Sequence, residues 1–316
     1  MKLLVLGAGG VGGYFGGRLA AAGADVTFLV RPRRREQLRR DGLRVTSLRG
    51  DISMPVQTVT ADELKPGYDF VFLTCKAYDF DSAADAIAPA MNGTCAVIPM
   101  LNGMSHLDRL DERFGAAQVM GGACLVNVSM RADGVIQHLD MVQKLIFGER
   151  DRTKSARAQR FADALAKSII DWELADDIVQ SMWEKAVMLT TIAVSTVLFR
   201  ANVGEILTAP GGKAAMLRTL DANVAVATHE GHPPRPASVE FSHAVLTNTE
   251  SRMTASMLRD LESGGAVESD HIVGFMLDCA RRHGIDDTML SLAFTHLKSY
   301  EARRAAGRVA PVSVTR

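Results

Sequence analysis

The feature that most constrains this chain is a glycine-rich turn set between two apolar runs within its first 31 residues. Leu3 to Leu6 enters Gly7-Ala-Gly9-Gly10-Val11-Gly12, a helical stretch follows, and a second apolar run spans Val26 to Val30. Strand, Gly-x-Gly-x-x-Gly turn, helix and strand in this order make a dinucleotide-binding unit. Gly7 allows the tight turn, Gly9 lets the backbone approach a pyrophosphate, and Gly12 lets the helix pack close to the strand. The helix start at Gly10 and Val11 offers free N–H groups and a positive dipole end to the phosphates.

The end of the second strand bears on which dinucleotide is bound. An NAD-selective site places Asp or Glu about 20 residues past the glycines, where it holds the ribose 2′-OH. This chain has Arg31 there, followed by Arg33, Arg34 and Arg35, while Asp25 stands too early in the strand to serve. A guanidinium pairs a 2′-phosphate in a bidentate way, so NADP(H) is favoured over NAD(H), with Arg31 as the phosphate ligand. Two of the three arginines that follow are assigned to the solvated face of the next helix.

A chain of 316 residues is expected to form about two domains. Lys+Arg and Asp+Glu both total 36, so the formal charge is zero, which gives no support to a nucleic-acid or membrane-surface role. No apolar run is expected to approach the roughly 20 residues of a membrane-spanning helix. The N-terminus enters a core strand at once, which reads against a signal peptide. Cys75, Cys95, Cys124 and Cys279 lie scattered in apolar contexts. They fit buried thiols of a cytoplasmic protein better than disulfides or a metal site.

Short β-rich runs alternate with helical stretches in the first half. Strands are expected at 3–6, 26–30, 43–47, 70–74, 95–99, 119–128 and 142–147, and helices at 11–22 and 82–90. This alternation predicts an α/β Rossmann domain with a doubly wound, mainly parallel sheet. Hairpin additions are expected around 43–59 and 125–147, with Gly134 and Asp140 as turn residues. A last α/β unit, 156–167 then 169–174, closes a first domain over residues 1–175. From Asp176 helical periodicity takes over, in 179–200, 211–230, 238–248, 254–262, 268–283 and 286–304, so residues 176–316 read as an all-α second domain. The final helix either supports a homodimer or closes the helical domain, and the tail from Gly307 is expected to fray.

Several residues could carry chemistry. Lys76 follows a strand where ligands of such sheets bind, and either reaches a cofactor or acidic substrate or caps a loop. Asn102-Gly103 follows the next strand and is also a common turn dipeptide. Lys185, in Trp183-Glu184-Lys185, heads a stretch nearly free of charge up to Arg200. It is either a partly desolvated proton donor or a Lys snorkelling at a helix edge. Glu268 stands near a helix start, where the dipole favours an acid regardless of function. His229-Glu230-Gly231-His232 has its histidines three apart at a helix end and reads as no metal site. Trp172 and Trp183 read as core residues.

Taken in order, these residues resemble the ketopantoate reductase family (2-dehydropantoate 2-reductase). The resemblance is carried by Gly7 to Gly16, Lys76-Ala-Tyr-Asp79, Leu101-Asn102-Gly103, Trp183-Glu-Lys185, Gly204-Glu205, Ser256-Met-Leu-x-Asp260-Leu261, Glu268-x-Asp270-x-Ile272-x-Gly274 and His283-Gly-Ile285. It spans nearly the whole chain. It implies a Rossmann domain joined to a helical domain with the active site in the cleft between them, NADPH as hydride donor, and reduction of a 2-oxo acid, nominally ketopantoate, in pantothenate biosynthesis. Lys185 would be the general acid, and Glu268 would bind a substrate hydroxyl or fix Lys185. Ser256 and Asn102 would hydrogen-bond the substrate or the nicotinamide end, and Lys76 would sit near the cofactor and the reacting oxygen. One departure stands out. The family usually carries Asn four and eight positions after the Lys, where this chain has Leu189 and Ala193, and often Asn before Gly-Glu, where it has Val203 preceded by Asn202. This implies a more apolar site, open to another 2-oxo acid or ketone. A cofactor-binding sensor without catalysis is the reading from another class, and the presence of Lys185 with Glu268 speaks against it.

Overall fold

The computed structural model describes residues 1–309. Two compact units emerge: Met1–Leu101 with His106–Ser181, and Asn102–Ser105 with Met182 onward.

The first unit holds β1 (Lys2–Leu6), α1 (Gly10–Ala21), β2 (Asp25–Leu29), α2 (Pro32–Asp41), β3 (Leu43–Ser47), β4 (Ile52–Met54), β5 (Gln57–Val59), β6 (Phe70–Leu73), α3 (Phe80–Ile87), β7 (Ala96–Pro99), α4 (His106–Phe114), β8 (Gly121–Met130), β9 (Ile136–Gly148), α5 (Ala156–Leu165) and β10 (Asp171–Leu174). One parallel sheet runs β5-β2-β1-β6-β7. Its central strands are buried on both faces, which is why Leu3-Leu-Val5 and Phe70-Val-Phe-Leu73 read as unbroken apolar runs. The glycine turn and Lys76 both follow the carboxyl ends of these strands.

The later strands do not extend this sheet. β8 and β9 form an antiparallel hairpin, and β9 also pairs with β3 and β10, building a second, mixed sheet. Gly134 lies in the hairpin turn with φ of +80°. Asp140 does not, contrary to expectation. It sits in an irregularity within β9, where the register shifts opposite Val126/Val128 and its carboxylate accepts from the Val142 N–H at 2.9 Å. The 43–59 hairpin is also partial: β3 and β4 pair antiparallel, whereas β5 leaves to pair with β2.

The second unit comprises most of α6 (Ile178–Phe199), then α7 (Val203–Thr208), α8 (Gly212–His229), α9 (Pro236–Leu246), α10 (Ser256–Glu262), a π-helix (Ser269–Gly274), α11 (Phe275–Arg282) and α12 (Thr288–Ala305). The unit boundary falls at Ser181 rather than 175 because the first turn of α6 belongs to the sheet unit. A Cβ on Gly121 would come within 2.6 Å of the Ile178 side chain, so Ile178 seats directly on β8. α12 buries Leu290, Ala293, Leu297 and Tyr300 and closes the helical unit. The expected fraying of the tail falls, from residue 310 on, outside the described residues.

Two expectations need correction. α6 is 22 residues long and apolar enough, by length and composition, to span a membrane, but 72% of its apolar window is buried inside the protein, as befits a core helix. Trp172 is not a core residue: it is 36% exposed on the short strand β10, whereas Trp183 is buried. The cysteines are free thiols, three of them buried.

Candidate functional site

In the sheet unit, the chain leaves β1 through Gly7, whose φ of +91° only glycine adopts readily and whose N–H donates to the Leu29 carbonyl at 2.9 Å. The next constraint is at Gly12. A Cβ there would stand 2.2 Å from the Gly7 oxygen and 2.3 Å from Thr74 Oγ1, which itself donates to the Leu6 carbonyl at 2.7 Å. Between them, Gly9 is open: a Cβ there would meet nothing within 4 Å. Gly9 caps α1, Gly10 and Val11 begin it, and its first turn has no acidic side chain. The room at Gly9 and the uncompensated positive helix end suit a diphosphate, so these residues fit a dinucleotide.

The arginine run divides its labour in a way the sequence does not reveal. Arg34 is no surface residue. Its guanidinium donates twice to the Ala8 carbonyl (3.1 and 2.9 Å), and Nη1 reaches Gln37 and Gly134, so it braces the glycine turn from behind. Burial, then the neighbouring Arg44, lowers its pKa from the ordinary arginine value. Arg35 pairs with Glu63 at 2.8 Å, and Arg33 faces solvent. Arg31 is the N-cap residue of α2, with its side chain exposed and Nη2 lying 3.2 Å from Asp79. Lys76, half-buried, begins the short 3₁₀ turn Ala77–Asp79 after β6.

In the helical unit, α6 presents Trp183, Glu184 and Lys185 in successive directions about 100° apart. The Trp183 ring stacks on His232 (5.7 Å between centroids) and lies against Phe275. The Glu184 carboxylate takes the Arg235 guanidinium and backbone N–H at 2.5 to 2.9 Å, pinning the proline-rich loop before α9. With both neighbours committed, Lys185 is half-buried, and among the described residues none pairs with its ammonium. Leu189, one turn on, is half-buried and Ala193 is buried, while Thr191 turns into the core, where Asn223 donates to it at 3.0 Å.

Glu268 is buried at 6% exposure and leads into the π-helix, where the sequence pattern suggests an ordinary α-helix. Asn102 groups with this unit rather than with the sheet it follows. Its turn rests on the π-helix: Gly103 (φ +79°) approaches the His271 backbone so closely that a Cβ would lie 2.8 Å from its carbonyl, and Ser105 Oγ lies 2.7 Å from His271 Nδ1. Ser256 is the first residue of α10, after Ala255, whose N–H reaches Thr196 of α6 at 3.4 Å. The turn that carries Asn102 thus rests on the π-helix that follows Glu268, and Ala255, just before Ser256, bonds α6, the helix that also carries Lys185.

Two motifs have structural explanations. Asn202 and Glu205 form a reciprocal capping box on α7, both bonds at 2.9 Å, so the Asn202 amide is spent there. His229 and His232 diverge: His229 bonds the Ala225 carbonyl, whereas His232 stacks on Trp183.

Comparison with known proteins gives a consistent assignment. Residues 3–152 match the family described as Ketopantoate reductase PanE/ApbA, and residues 177–301 match its C-terminal counterpart. The uncharacterized oxidoreductase YkpB of Bacillus subtilis (strain 168) is 35% identical over 96% of this chain and 100% of its own length. The 2-dehydropantoate 2-reductase of Halobacterium salinarum is 28% identical over 90% of this chain and 94% of its own. Among solved structures, D-mandelate dehydrogenase with NADH and anilino(oxo)acetate superposes with a TM-score of 0.86 at 19% identity, covering 96% of this chain and 100% of that one, a likeness of fold.

Proposed function

Since the chain belongs to the ketopantoate reductase PanE/ApbA family and is an oxidoreductase acting on CH–OH groups with a nicotinamide dinucleotide, we propose that it reduces a 2-oxo acid to the 2-hydroxy acid with NADPH. The nominal substrate is 2-dehydropantoate, giving pantoate for pantothenate synthesis. One observation carries the reading: Trp183 is engaged in ring packing and Glu184 in its pair with Arg235, and Lys185 is half-buried with no partner for its ammonium among the described residues.

In this account Gly7, Gly9, Gly10, Val11 and Gly12 receive the diphosphate, and Arg31 the 2′-phosphate. Bound NADPH supplies the hydride. Lys185 holds its Nζ proton toward the carbonyl oxygen, stabilises the negative charge that grows there and donates the proton as the alcohol forms. Asn102 and Ser256 hydrogen-bond the substrate, Glu268 takes a substrate hydroxyl or orients Lys185, and Lys76 offers a second cation to the 2-oxo acid.

A second reading concerns the substrate alone. Leu189 lies one turn from Lys185 and Ala193 another, so that stretch of α6 offers methyl groups rather than amides. This favours a 2-oxo acid with an apolar side chain, and the shared fold with D-mandelate dehydrogenase is in keeping with it. The test is NADPH oxidation by the purified protein against 2-dehydropantoate and a panel of aliphatic and aromatic 2-oxo acids. Fast turnover of 2-dehydropantoate supports the nominal substrate, and turnover confined to apolar members supports the second reading. No turnover of any 2-oxo acid, with NADPH bound, contradicts both and favours a sensor.

A further inference from the structure

We propose that Asp79 is a cofactor-specificity residue: it shares the adenosine 2′ position with Arg31, weakens the hold on a 2′-phosphate and lets the site accept NADH alongside NADPH. This rests on the reading above that Arg31 faces the 2′ position. β2 and β6 flank β1 in parallel, so their carboxyl ends open on the same side of the sheet as the glycine turn. Arg31 lies just beyond β2 and Asp79 just beyond β6. They are the N-cap residues of α2 and α3, yet neither side chain caps its own helix. Instead Arg31 Nη2 and Asp79 Oδ1 meet at 3.2 Å, with 77% and 41% of the side chains exposed, so both stay open to a ligand.

An acid at the end of the second strand is what holds a ribose 2′-OH in NAD-binding sheets. Here that strand ends in Arg31, and the carboxylate reaches the same place from the adjacent crossover, 48 residues later. The two groups pull in opposite directions. Arg31 attracts a 2′-phosphate, while Asp79 repels it, competes with it for the guanidinium, and accepts a hydrogen bond from a 2′-OH. Arg34 and Arg35 are bound to Ala8 and Glu63 and do not relieve this competition.

The test is equilibrium binding of NADPH and of NADH to the full chain and to its Asp79→Asn variant, by titration calorimetry. Because the pair is solvated, Asp79→Asn is expected to tighten NADPH about three- to tenfold at low salt, with NADH unchanged or weaker. The gain should shrink toward nothing at about 1 M salt, where charges a few ångströms apart are screened. An unaltered NADPH-to-NADH affinity ratio, or weaker NADPH binding in the variant, would overturn the proposal and leave Asp79 a mere support for Arg31. Failure of the unaltered chain to bind either dinucleotide would overturn the proposed function and this inference together.

Discussion

The Ser105 hydroxyl and His271 Nδ1 stand 2.7 Å apart, joining residues 166 positions apart in the chain. This bond fastens the Asn102 turn to the π-helix that Glu268 introduces. π-Helical turns are rare and concentrate at functional sites. Here the widened turn gives the Asn102–Ser105 segment a surface to rest on, so two candidate substrate-binding residues depend on one local structure.

Removing that bond should therefore act on binding more than on stability. Ser105→Ala is expected to lower stability by only about 1 kcal/mol, the net worth of a hydrogen bond, yet to raise KM for the 2-oxo acid several-fold with kcat nearly kept. Steady-state kinetics and a thermal melt decide it. An unchanged KM would mean the Asn102 turn does not serve the substrate.

The two glycines of the turn should separate folding from binding. Gly12→Ala places a methyl 2.2 Å from a backbone oxygen and should cost about 3 kcal/mol of stability. Gly9→Ala meets nothing within 4 Å, so the melt should be unaltered while dinucleotide affinity falls at least tenfold. If Gly9→Ala binds NADPH normally, the diphosphate does not lie against this turn.

What was legible in the sequence was local. The glycine turn, Lys185 behind its tryptophan and the change from alternating to helical pattern each lie within a few residues. What was hidden joins distant segments: Arg34 to the Ala8 carbonyl, Arg31 to Asp79, and Ser105 to His271. Apolar spacing over 268–283 does not distinguish a π-turn from an α-turn, because both bury Ile272 and Val273. α7 escaped notice because six residues give too short a period to register, though its capping box was written in Asn202 and Glu205. Asp140 misled because aspartates favour turns, and an irregularity inside a strand uses the same Asp-to-backbone bond.

The apolar face of α6 makes a prediction about substrate. Leu189→Asn, at a half-buried position, is expected to raise kcat/KM for 2-dehydropantoate about two- to tenfold by adding one hydrogen bond. Ala193→Asn, at a position only 2% exposed, should instead cost about 1–3 kcal/mol of stability. A Leu189→Asn variant no better with 2-dehydropantoate would count against the lost amide as the cause of any altered preference.

Burial also fixes the behaviour of two thiols. It pushes Cys95 up to about 12, and burial with the nearby Glu230 pushes Cys279 up to about 11. Neither is a thiolate at neutral pH, so both should react with a thiol reagent only on unfolding. Rapid labelling of either in the native protein, mapped by mass spectrometry, would contradict this packing.

Whether Lys185 delivers the proton is tested by Lys185→Ala, measured for NADPH affinity and for turnover of the 2-oxo acid the unaltered protein reduces best. The expected result is an unchanged Kd for NADPH and a loss in kcat/KM of at least about 10²-fold, the usual contribution of a general acid. A variant turning over within a few-fold of the unaltered protein would show that the proton comes from elsewhere.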